Sequence, residues 1–238
     1  MTLRIKEFIR AEALNAGFFA AGVTTAEKLP GLSALNSWLT SGYCAEMDWM
    51  RRSPDARCDP RSLLPGARSV VCAAFEYRFG RGVDYHDVVQ KKLRRIWDAM
   101  KTPEARARFS VDTSPLLEKA LAVKAGIGWQ GKHSVVVHPE RGSYFVLGEI
   151  ITDLEIEPDG PVSNQCGDCR RCIDACPTGA IVEPYIIDAG RCLSYLTIEH
   201  KGPIDGKLTK HIKPGQYGCD LCQRACPYNK GERYDERT

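Results

Sequence analysis

Cys166-Gly-Asp-Cys169-Arg-Arg-Cys172-Ile-Asp-Ala-Cys176-Pro177 sets four thiols at steps of three, three and four residues. That ladder is the ligand run of bacterial ferredoxins, in which the fourth cysteine serves the other cluster when two are present. It calls for a partner run downstream, and Cys219, Cys222 and Cys226-Pro227 provide one that is a single thiol short. Cys192, alone between the runs, completes the set. The sharing rule gives one 4Fe–4S cluster to Cys166, Cys169, Cys172 and Cys226, and a second to Cys176, Cys192, Cys219 and Cys222. Structural zinc also uses C-x-x-C pairs, but its ribbons and fingers hold two short pairs far apart and seldom carry three cysteines plus a Cys-Pro in one run. A disulfide framework suits small secreted scaffolds, not a 238-residue chain with an odd total of 11 cysteines. Cys44, Cys58 and Cys72 lie outside the runs and read as small buried residues.

Working outward, 238 residues can bury a substantial core as one large domain or one domain with an appendage. The net charge of +3 permits an anionic partner without demanding one. The N-terminus, MTLRIKEFIRAEAL, is spaced like an amphipathic helix and lacks the apolar run of a signal peptide. No stretch reaches membrane-spanning length. Oxygen-sensitive clusters, many thiols and no export signal lead us to expect a cytoplasmic protein.

Upstream of the cysteines, the spacing predicts helices over 3–16 and 31–42 and a buried strand over 69–77. A Gly-Arg-Gly turn at 80–82 follows. Val89, Leu93, Ile96 and Met100 then give one apolar helix face, with Lys91, Lys92, Arg94 and Arg95 on the solvated side. Residues 108–112 read as a strand, and Ser114-Pro115 as the start of a helix that Gly126 terminates. Gly126-Ile-Gly128-Trp-Gln-Gly131 matches G-x-G-x-x-G, with Glu149 beyond it. A dinucleotide fingerprint must follow a strand and open a helix, whereas this one follows a helix and leads into a strand. The glycines therefore serve close backbone approach. Residues 135–138 and 144–152 read as a hairpin, and Pro158, Gly160 and Pro161 as a linker. The domains are accordingly 1–157 and 158–238. Asp112 ends a strand just ahead of a helix. It reads as a helix-start anion favoured by the macrodipole, or as a ligand-binding residue at the end of an open α/β sheet. Lys201, Lys207, Lys210, His211 and Lys213 form a basic stretch between Cys192 and Cys219, readable as solvated loop or phosphate contact.

Three segments resemble the epoxyqueuosine reductases, cobalamin-dependent iron–sulfur enzymes of tRNA queuosine modification. They are Val111-Asp-Thr-Ser-Pro-Leu-Leu-Glu-Lys-Ala120 running on through Gly126 to Lys132, Gly142-Ser-Tyr-Phe-Val-Leu-Gly-Glu-Ile150, and the cysteine framework. The third includes Cys192-Leu-Ser-Tyr-Leu-Thr-Ile-Glu-His-Lys-Gly202 and Tyr217-Gly-Cys-Asp-Leu-Cys222. The resemblance implies an α+β chain: an N-terminal α/β cobalamin-binding domain, nitroreductase-like, followed by a ferredoxin-like domain with two 4Fe–4S clusters. It implies reduction of epoxyqueuosine to queuosine in tRNA, with electrons from a donor such as flavodoxin or ferredoxin passing through the clusters to cobalamin. It places the general acid on Asp112, and corrinoid or substrate contacts on Arg57, Tyr85, His86, Ser194, Lys201 and Asp220. A monomer is expected. Two departures from the family pattern stand out: a short segment between Tyr77 and Asp84, and an end soon after Asn229 where family members continue into a tRNA-holding extension. The alternatives are a cobalamin-dependent reductase of a small substrate, or a two-cluster electron carrier.

Overall fold

A computed structural model of the chain describes residues 2–76 and 83–229. Its centre is a four-stranded antiparallel sheet of order β1-β2-β6-β3, formed by β1 (Ala20–Thr25), β2 (Ser69–Glu76), β3 (Ala107–Ser110) and β6 (Phe145–Thr152). The two inner strands are apolar on both faces, so the sheet needs cover on both sides. On one face Val71, Ala73 and Ile150 pack against α1 (Thr2–Asn15) and α3 (Tyr85–Met100) through Ile9, Ala13, Val89, Leu93 and Ile96. On the other, Val70, Cys72, Ala74 and Ile151 meet α2 (Leu32–Thr40) and α4 (Glu118–Lys124) through Leu35, Leu39, Leu121 and Ala122. This is a helix–sheet–helix domain. The α+β class expected from the resemblance holds.

Several local expectations change. Strand β1 had no clear sequence signal, because Ala-Ala-Gly-Val-Thr-Thr is short and weakly patterned. Helix α4 begins at Glu118 with Leu117 as its N-cap, not at Ser114-Pro115. Asp112 is therefore six residues ahead of the helix, and its reading as a helix-start anion falls. The sheet is antiparallel throughout, so the rule for ligand sites in open parallel sheets does not apply either. The expected hairpin is also different. The strand at Val136–Val137 (β5) pairs with Trp129–Gln130 (β4), while β6 joins the central sheet between β2 and β3. A single bridge, His138 to Gly142, remains of it. Tyr77 and the turn over 80–82 lie outside the described residues.

The glycine-rich stretch behaves as close-approach backbone. A Cβ on Gly128 would stand 2.2 Å from the Val137 carbonyl oxygen, and one on Gly126 2.7 Å from that of Gly160. Asp159, in the linker, is fastened back to the N-terminal domain by Arg10 at 2.7 Å and by the Val23 N–H at 2.9 Å.

The cysteine region folds as two short helices, α5 (Arg171–Asp174) and α7 (Leu221–Arg224), which pack against each other, with α6 (Leu193–Ile198) between them in the chain. Its own apolar core is small, built on Ala189, Leu193, Tyr195 and Leu196. It is held to the sheet domain from two sides. Trp38 Nε1 donates to the Ile187 carbonyl at 2.7 Å, the Glu46 N–H donates to Tyr195 Oη at 3.1 Å, and the Ser143 N–H donates to Asn229 Oδ1 at 2.7 Å.

Candidate cluster and cofactor site

Most of the mutual charge effects among the thiols run within the sets that spacing suggests, with one effect, of Cys172 on Cys222, between them. Burial raises the Cys172 thiol, and Cys166, Cys226 and Cys169 raise it further as like-charged neighbours. Burial pushes Cys222 up to about 12, with Cys192, Cys219, Cys176 and, last, Cys172 adding to it. Cys226 is raised by burial, Cys166 and Cys169. Cys219 is raised by burial, Cys192, Asp220 and Cys176. Four thiolates crowded together with no cation repel one another, and bound iron reverses that balance. Cys176 is the exception: burial raises it, but Thr178 and the Ala180 N–H, 3.2 Å from its sulfur, bring it below the usual thiol range. Among the described residues, no three His, Cys, Asp or Glu side chains close on one point as ligands of a single ion would. Thiols spaced around a volume fit a multi-iron cluster, one thiolate to each iron. Cys166, Cys169, Cys172 and Cys226 wall one enclosed space with Trp129, His133 and Tyr228.

Cys219 of the second quartet borders an open cleft of about 810 Å³ between the two halves of the chain. Cofactor pockets span about 300–1,000 Å³. One wall is Val135 and Ser143 to Val146 from the sheet domain; the other runs from Ser194 through Lys213 to Arg224 and includes Cys219. Tyr144 Oη donates to Asp220 Oδ2 at 2.9 Å across it. Burial, then the Asp220 carboxylate, raises the Tyr144 hydroxyl well above its usual range, so it stays a donor.

Of the residues carried over from the resemblance, Ser194 and Asp220 line this cleft. Tyr85 Oη donates to Asp112 Oδ2 at 3.0 Å, and the His86 ring stacks on Tyr85 with centroids 3.9 Å apart. These three form a group that is not part of the cleft wall. Arg57 is buried, donates to the Trp49 carbonyl at 2.7 Å and lies over the Trp49 ring; it is not on the cleft wall. Lys201 is exposed, away from that wall.

Asp112 has a left-handed backbone, φ 58°, which an L-residue adopts at a cost unless its surroundings enforce it. The enforcing contact is Glu118, whose Oε1 accepts from the Asp112 N–H at 2.8 Å and from Ser110 Oγ at 2.6 Å. Behind it lies Glu149, fully buried on β6 between Cys72 and Ser110 of the neighbouring strands. Burial, and then Glu118, raises Glu149 well above the carboxylate range; burial raises Glu118 too. Both Glu149 oxygens are buried without a donor, and Glu118 acts on the group both as a like charge and as a hydrogen-bonding neighbour. Two acceptors facing each other in an apolar core bond only through a proton held between them. Sequence reasoning missed this pair. Its trace was a glutamate inside the apolar run Leu147-Gly-Glu-Ile-Ile151.

Residues 165–229 match a family model described as a 4Fe-4S double cluster binding domain, and residues 57–113 match one described as "Epoxyqueuosine reductase QueG, DUF1730". The epoxyqueuosine reductase of Gloeobacter violaceus is 41% identical over 247 residues, covering 95% of this chain and 77% of that protein. The chain belongs to the epoxyqueuosine reductase family. The Escherichia coli reductase is 38% identical, over 99% of this chain and 67% of its own. A crystal structure of epoxyqueuosine reductase with a tRNA-Tyr epoxyqueuosine-modified tRNA stem loop superposes with a TM-score of 0.89 at 36% identity, covering 97% of this chain and 67% of that one. A B12-dependent reductive dehalogenase shares the fold at 16% identity and a TM-score of 0.56, over 95% of this chain and 32% of that one. The cleft's size and mixed lining fit a corrinoid, with Ser194, Asp220 and Tyr144 as the chain's polar groups there.

Proposed function

We propose that this chain reduces epoxyqueuosine in tRNA to queuosine, drawing electrons through its two clusters from a small carrier such as flavodoxin or ferredoxin, as a monomer in the cytoplasm. Restoring the carbon–carbon double bond from an epoxide releases the oxygen as water and takes two electrons and two protons. Cobalamin, when bound in the cleft, supplies a strongly reducing cobalt centre suited to two-electron chemistry. The residues of the chain bind, orient and protonate. Ser194 and Asp220 hold the polar edge of the cofactor, with Tyr144 fixing the Asp220 carboxylate. Asp112 gives a proton to the oxygen as its bond to carbon breaks. Tyr85 occupies Oδ2, which leaves Oδ1 for that transfer, and seating of the substrate covers a carboxyl that is exposed in the free chain. Lys213 and His211 on the cleft wall, with Lys201, Lys207 and Lys210 nearby in the chain, offer cations to the tRNA backbone.

The observation that carries the reading is a cluster thiol, Cys219, on the wall of the interdomain cleft, in a chain whose relatives are named for this reaction. A plain electron carrier needs neither the cleft nor the likeness over 57–113. The test is anaerobic turnover of epoxyqueuosine-containing tRNA with cobalamin and a low-potential reductant. Asp112→Asn should lower the rate by about 10²- to 10⁴-fold, the usual worth of a general acid, with iron and sulfide content unchanged. Full activity in that variant removes Asp112 from the reaction.

A further inference from the structure

Two buried N–H groups next to the first thiol quartet have no partner among the described residues. His133 is 4% exposed, and its Nδ1 accepts from the Val135 N–H at 3.2 Å. In the neutral imidazole the other nitrogen then carries the proton. That nitrogen, Nε2, is buried without an acceptor, and so is Nε1 of Trp129, itself 1% exposed. Leaving one such donor unpaired costs about 1–3 kcal/mol, so two on one site call for an explanation. Both side chains border the enclosed space whose other walls include Cys166, Cys169, Cys172 and Cys226.

The local backbone is arranged to keep them there. A Cβ on Gly131 would stand 2.7 Å from His133 Cε1, so only a bare backbone lets the ring lie where it does. Trp129 sits on β4 and is stacked edge to face on Tyr228, two residues past Cys226, with centroids 4.8 Å apart. Neither side chain lines the cofactor cleft, which the second quartet adjoins through Cys219.

We propose that His133 Nε2–H and Trp129 Nε1–H donate hydrogen bonds to the sulfur of the cluster held by Cys166, Cys169, Cys172 and Cys226, and so raise its reduction potential. Reduction adds negative charge that spreads onto sulfur, and a donor fixed against sulfur stabilises the reduced state more than the oxidised one. The pair thus sets how readily the cluster away from the cleft takes an electron, leaving the cluster at the cleft untouched.

The test is an anaerobic redox titration, followed by paramagnetic resonance, of the full chain with both clusters loaded. Trp129→Phe removes one donor and little volume; His133→Leu removes the other; His133→Gln retains an N–H. Each loss of a donor should make reduction of one cluster about tenfold less favourable, a downward shift of about 59 mV for a one-electron couple. The other cluster should keep its midpoint, and His133→Gln should return most of the shift. In reduced protein carrying ¹⁵N-histidine, pulsed resonance should show a nitrogen coupled to one cluster, absent in His133→Gln. Unshifted midpoints in Trp129→Phe and His133→Leu at full iron and sulfide content overturn the proposal. If His133→Leu fails to load, an unshifted Trp129→Phe together with no nitrogen coupling in the unsubstituted chain overturns it equally.

Discussion

Glu149 sits at the centre of the sheet, where β6 is flanked by Cys72 and Ser110, and it shapes the pH response of the fold. Its pKa is raised by burial first and by Glu118 second. An unfolded glutamate titrates near 4.3, so above that pH the unfolded chain has released a proton that the native core retains. Stability from this group is therefore greatest below about pH 4 and declines as the pH rises toward the native pKa. Glu118, raised in the same direction, adds to the decline. Glu149→Gln keeps a donor toward Glu118 and needs no proton. It should melt higher than the unsubstituted chain at pH 8 and lose that advantage by pH 4.5, each unit of pKa displacement being worth about 1.4 kcal/mol. Scanning calorimetry across that range checks it, and equal melting temperatures at pH 8 would show that folding leaves the Glu149 pKa undisplaced. The residue matters to the site because Glu118 joins the pair to the backbone of Asp112.

At the scale of elements, the tightest backbone approach at a described glycine is between β1 and the end of α4. A Cβ on Gly22 would stand 2.0 Å from the carbonyl oxygen of Ala125, and backbone cannot swing aside as a side chain can. Gly22→Ala should cost stability at the upper end of the about 1–3 kcal/mol typical of overpacking, read as a lower urea midpoint with an unchanged m-value. An unaffected midpoint would mean that α4 is free to move off the sheet. That helix carries Glu118, so the same substitution should loosen the Asp112 loop. Packing also sets where α4 starts. Ser114-Pro115 has the chemistry of a helix entry, yet Leu116 and Leu117 are drawn toward the core beside Ala120 and Leu121, and the chain reaches the helix only afterwards. Similarly, Val136-Val137 and β6 read as hairpin arms by sequence proximity, but β6 gains partners on both edges in the central sheet, β2 along its whole length and β3 over four residues, and takes those instead.

Taken whole, the molecule has two large apolar cores, one on each face of the sheet, and a third small one under the cysteine runs. A segment with so little core depends on its metal for order. Removing the clusters by anaerobic chelation after oxidation should abolish hydrogen-exchange protection over about residues 166–226 while β2 and β6 stay protected. Protection that survives there without iron would show that side-chain packing alone holds the second domain. Polar contacts such as Trp38 to Ile187 and Ser143 to Asn229 help to seat it, so loss of order should also open the cofactor cleft between the halves.

What could be read without coordinates was whatever the chain encodes locally. Thiol spacing assigned both quartets, because each cluster takes its ligands from short runs whose steps are fixed by the cubane's size. Periodicity placed α1, α2, α3 and β2, whose amphipathic or apolar pattern is self-evident within a dozen residues. The strand β1, the pairing of β6, the Glu118–Glu149 pair and the orphan donors of His133 and Trp129 depend on which distant segments lie side by side. Burial and hydrogen-bond supply decide those features, and only the folded chain settles them, because Glu149 keeps its proton through burial and through a carboxylate 31 positions away, not through anything in its own stretch of sequence.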